Sequence, residues 1–81
     1  MPKFIITLPP MAPDNIGSAC ANVLGAATGD LRMDWAYVDT DTNQPLCCWD
    51  APDRQAIEGL FKTAEQPTES VREVRVFKPP A

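Results

Sequence analysis

Eighty-one residues, with seven Lys and Arg against eleven Asp and Glu for a net charge of −4, are enough for one domain with a thin core. A domain this small buries only about 60 % of its unfolded surface. The basic residues stand singly rather than as a stripe, which argues against nucleic acid as a partner. No apolar run approaches the roughly 18 residues that would span a bilayer, and the complete absence of histidine removes the commonest general base and transition-metal ligand.

Prolines fall between the periodic segments and mark their ends. Lys3-Phe4-Ile5-Ile6-Thr7-Leu8 is almost continuously apolar and β-branched and is closed by Pro9-Pro10, so it reads as a central strand. This N-terminal run lacks the length and cleavage pattern of a secretory signal, and the expected location is the cytoplasm. A helix follows, with Asp14 as the expected N-cap and Ile16, Ala19, Cys20, Val23 and Leu24 forming one apolar stripe. Gly17, Ala21 and Gly25 are expected to keep it slim against a sheet, and Gly29-Asp30 ends it.

The second strand, Leu31 to Val38, alternates, which places Leu31, Met33, Trp35 and Tyr37 on one side and Arg32, Asp34, Ala36 and Val38 on the other. Its charged side suggests a sheet edge. The polar run Asp39 to Asn43 is too short for a crossover, so an antiparallel hairpin leads to the third strand, Pro45 to Trp49, apolar on both sides and central. Asp50-Ala51-Pro52-Asp53 opens a second helix whose stripe is Ala56, Ile57, Leu60, Phe61 and Ala64. Val71 to Phe77 is the last strand, on the other edge.

The order β-α-β-β-α-β with right-handed crossovers predicts an α+β domain over residues 1–81. Its four-stranded antiparallel sheet carries both helices on one face, the ferredoxin-like arrangement. Central strands that are apolar on both sides leave a bare patch on the second face, which is rare on a monomer. A second copy packed sheet against sheet, a homodimer of the dimeric α+β barrel type with a small ligand between the sheets, is the expected cover.

Three cysteines, an odd number with Cys47 and Cys48 adjacent, point to reduced thiols rather than a disulfide framework. Neighbouring residues of a strand face opposite ways, so Cys47 and Cys48 cannot chelate one ion together, and no CxxC spacing exists. Both read first as small buried hydrophobes. A nucleophilic Cys48 would need a cation such as Arg72 or Arg75 beside it.

Trp35-Ala36-Tyr37-Val38, then Cys48-Trp49-Asp50-Ala51-Pro52 with Ala56-Ile57, then Val71-Arg72-Glu73-Val74, resemble a family of small bacterial ferredoxin-like proteins of largely unassigned function. Some of its members are described as nickel-binding. The resemblance spans roughly Trp35 to Val76 and implies the same fold. Where the family has a His two places before the Tyr, this chain has Trp35, so the nickel implication loses a ligand.

The candidate ligand-binding residues are therefore Trp35, Tyr37, Cys48 and Glu73, with no catalytic residue, metal ligand or cofactor assigned. For Trp35 and Tyr37 the alternation favours packing under the first helix, and a stacking wall for a planar ligand, with Asp39 at its mouth, is the other reading. Glu73 and Arg75 share one side of the last strand as a polar pair. Three function classes follow: a dimeric binding or accessory protein; a cofactor-free oxygenase or isomerase using Tyr37, Asp39 or Glu73; and a metal-binding protein.

Overall fold

A computed structural model describes residues 1–80; Ala81, the last residue of the expected domain, lies outside the described residues. The chain runs β1 (Lys3–Thr7), α1 (Pro13–Ala26), β2 (Arg32–Asp39), β3 (Gln44–Asp50), α2 (Arg54–Thr63) and β4 (Ser70–Val74). The strands form one sheet in the order β2-β3-β1-β4, antiparallel throughout. This is the ferredoxin-like fold. β1 and β3, the two strands apolar on both sides, occupy the centre.

Phe4 and Ile6 on one side of β1, and Leu8 just beyond it, are buried with Cys47 and Trp49 of β3 beneath the helices. The indole of Trp49 meets the ring of Phe61 edge to face, centroids 6.1 Å apart and planes at 80°. That geometry adds about 0.5–1.5 kcal/mol to the burial of the two rings. Arg54, at the start of α2, lies with its guanidinium carbon 5.9 Å from the centroid of the Phe4 ring and donates to the Val71 carbonyl. It ties the second helix to both β1 and β4.

The helix ends show which local signals governed. α2 is capped by Asp53, whose carboxylate accepts from the Ala56 amide at 2.8 Å. Its C-terminus closes with Glu65 N–H donating to Lys62 and Gln66 N–H donating to Phe61. These are the two bonds of a Schellman motif, with Glu65 in the left-handed conformation at φ 56°. For α1 the cap position is Ala12, with no side-chain bond, and the expected cap Asp14 sits inside the first turn. Pro13 takes the first helical position, where its missing N–H costs nothing, and the acid one step later meets the positive end of the helix.

Three further expectations are corrected. In the α1 stripe only Val23 is buried, while Leu24 is 49 % exposed. The glycines of α1 do not mediate close packing: a methyl group added at Gly17 or Gly25 would meet nothing within 4 Å. The last strand stops at Val74, short of Phe77, because Lys3↔Val74 is the final pair with β1. Pro2, just before β1, turns its carbonyl to the β3 side, where it accepts from Ala51.

The most consequential departure is in β2. Met33 pairs with Trp49, and the next pair is Trp35 with Cys48, so Asp34 is an extra residue, a β-bulge. The alternation is reset there. Met33 packs against the core while Trp35 and Tyr37 turn to the face without helices, and Ala36 and Val38 turn to the helix side.

Candidate functional site

The site is the uncovered face of the sheet. Residues directly opposite in antiparallel strands share a face, so the pairings read across the sheet as rows. Trp35, Cys48, Ile5 and Arg72 form one row from the β2 edge to the β4 edge. Tyr37, Leu46, Thr7 and Ser70 form the next. Trp35 and Tyr37 stand 64 % and 62 % exposed at the β2 edge, against a middle of half-buried Ile5 and Leu46 and buried Cys48.

On the other side of the Trp35 row, Lys3 of β1 bridges two carboxylates, Asp50 of β3 at 2.8 Å and Asp34 of the bulge. Asp34 follows the core-facing Met33, so ordinary alternation puts it on this side, and the bulge reverses only the positions after it. Hydrogen bonds to both acids raise the Lys3 ammonium above its ordinary value of 10.5, so it is charged at any physiological pH. The pairing locks a cation that would otherwise face any ligand.

Of the four candidate residues, the structure brings Trp35, Tyr37 and Cys48 together and separates Glu73 from them. Glu73 pairs with Phe4, a core residue, so it lies at the β4 edge on the helix side. Arg72 takes its place on the open face. Lys3, Asp34 and Asp50 escaped sequence reasoning, and Arg72 entered it only as a possible cation for Cys48, because each acquires its place only through cross-strand register. The one sequence signal was Lys3 sharing the period-two positions of Ile5 and Thr7.

The thiols divide as strand geometry requires. Cys47 lies in the core, where its Sγ sits 3.8 Å from the Ile6 carbonyl oxygen, and burial pushes its pKa up to about 11. Cys48 faces the open side, and its pKa is also raised, first by desolvation and further by Asp34 and Asp50, with Lys3 pulling it down. A raised thiol is a poor nucleophile and a poor ligand at neutral pH. Among the described residues no three of Cys, Asp and Glu come together as a group able to hold a metal ion. The acids nearest Cys48 are already engaged with Lys3, so the residues of one chain do not fit a nickel site.

The fold and this open face together define a ferredoxin-like domain with one sheet surface uncovered. A solved protein of the same shape is SCO4226 from Streptomyces coelicolor A3(2), matched with a TM-score of 0.78 over 94 % of this chain and 99 % of that one. At 15 % identity the likeness is one of fold. No family model and no curated protein matches the chain. No helix of the described residues is long and apolar enough to cross a membrane.

Proposed function

We propose that the protein works as a homodimer, packed sheet against sheet, that holds a small ligand between the two uncovered faces as a binding or accessory protein. The observation that carries this reading is the composition of the open face: an apolar middle of Ile5, Leu46 and Cys48 flanked by the exposed Trp35 and Tyr37. A monomer would leave that surface in water, at about 25 cal/mol for each Å² of apolar area that a partner would remove. The resemblance to small bacterial ferredoxin-like proteins agrees with such a role, and the free thiols suit a reducing, cytoplasmic setting.

Native mass spectrometry of untagged protein tests it. A dimer carrying a constant extra mass is expected, and parallel spectra after addition of nickel and zinc salts tell an organic ligand from a metal. A monomer at micromolar concentration overturns the reading.

A further inference from the structure

The open face carries a projection and a hollow at opposite edges. At the β2 edge stands Trp35. Toward the β4 edge lies an open concavity of about 470 Å³, roomy enough for an indole, lined by Ile5, Thr7, Leu46, Ser70, Arg72 and Val74 together with the polar Gln44 and Glu69. Trp35 and Arg72 end the same row, three strand spacings or about 14 Å apart. Within one chain the projection cannot reach the hollow.

We propose that two copies pack with β2 of each over β4 of the other, so that Trp35 enters the partner's concavity and lies against the partner's Arg72. This rests on the sheet-to-sheet dimer proposed above and fixes its geometry. Two sheets stacked face to face admit two in-plane two-fold axes. An axis across the strands keeps each edge over its own copy, which sets Arg72 against the partner's Arg72 and hollow against hollow. An axis along the strands exchanges the edges and seats the projection in the hollow twice, as an isologous interface requires.

Charge selects the second axis. Lys3 is neutralised by Asp34 and Asp50, whereas no carboxylate lies within ion-pair distance of Arg72 among the described residues. An aromatic face answers an unpaired guanidinium without requiring a counter-charge. The row then reads the same from either copy: aromatic, thiol, isoleucine, cation, over its own reverse. The ligand space becomes the middle of the interface, over Ile5 and Cys48, closed at both ends by a Trp35–Arg72 pair.

The test is a double-mutant cycle on the dimer dissociation constant, measured by sedimentation equilibrium on the untagged full chain. Trp35→Ala, Arg72→Ala and the double variant all change exposed side chains, and thermal melts confirm that each still folds. Each single variant is expected to weaken the dimer about tenfold, because the two-fold axis repeats the Trp35–Arg72 pair and each substitution breaks both copies of it. The double variant should be scarcely weaker than Trp35→Ala, because the second change removes nothing further. Arg72→Lys should retain part of the affinity. A wild-type dimer in which the two effects simply multiply, or in which Arg72→Ala has none, overturns this geometry and leaves the sheet-to-sheet reading standing. A wild-type monomer overturns both.

Discussion

Trp35 stands directly opposite Cys48 in the β2–β3 ladder, on the face of the sheet that no helix covers. Trp49, one residue beyond Cys48, is fully buried on the other face. The two tryptophans therefore report opposite environments. Acrylamide should leave a blue-shifted Trp49 component nearly untouched at any protein concentration, and should quench the Trp35 component readily only on dilution to the single chain, where Trp35 stands exposed; Trp35→Phe should remove that quenchable component. Trp49→Ala should cost about 3–5 kcal/mol in chemical denaturation, while Trp35→Ala should leave the stability of the single chain within about 0.5 kcal/mol.

The buried thiol of Cys47 gives stability a defined alkaline limb. Its folded pKa of about 11 lies above the ordinary 9.0. The native state therefore keeps a proton that the unfolded chain releases. Stability is complete below pH 9 and falls as pH rises from 9 to 11, by about 2 kcal/mol over that window. Cys47→Ala should flatten that limb in denaturant titrations at pH 8, 9.5 and 11. An unchanged slope would mean that this thiol does not titrate on unfolding.

Open-face chemistry predicts an order of thiol reactivity. Cys48 is tuned by Lys3, which lowers its pKa, and by Asp34 and Asp50, which raise it. Alkylation of the folded protein at pH 8, read by peptide mapping, should be slower at Cys48 after Lys3→Gln and faster after Asp34→Asn. Cys47, buried and raised to about 11, should react only on unfolding. Equal rates in wild type and both variants would show that the Lys3 network does not govern Cys48.

Two helix positions should yield stability on substitution. Gly17 lies inside α1 with open space around the position of a methyl group, so Gly17→Ala should add about 0.5–1 kcal/mol by restricting the unfolded chain. Glu65 occupies the left-handed position after α2, which glycine adopts without steric cost, and Glu65→Gly should add up to about 1 kcal/mol. Asp53→Ala, which removes the α2 cap, should instead lose about 1 kcal/mol. Thermal denaturation of the three variants checks all of these signs.

Hydrophobic periodicity by itself determined the βαββαβ order, the central places of β1 and β3, and the placing of Ile57, Leu60 and Phe61 in the core. These follow from local chemistry: an apolar residue on either side of a strand requires cover on both faces wherever the strand lies. The facing of Trp35 and Tyr37 belonged to the tertiary structure. One extra residue at Asp34 inverts every later position of β2, and nothing local in Leu31-Arg32-Met33-Asp34 marks it. Asp34 itself keeps its side and meets Lys3, 31 residues away in the chain. Glu73 and Arg72 exchange roles for the same reason: which of two neighbouring residues meets the open face is fixed by register with β1, a long-range pairing. Periodicity states that a strand has two sides, and only the assembled sheet decides which side is which.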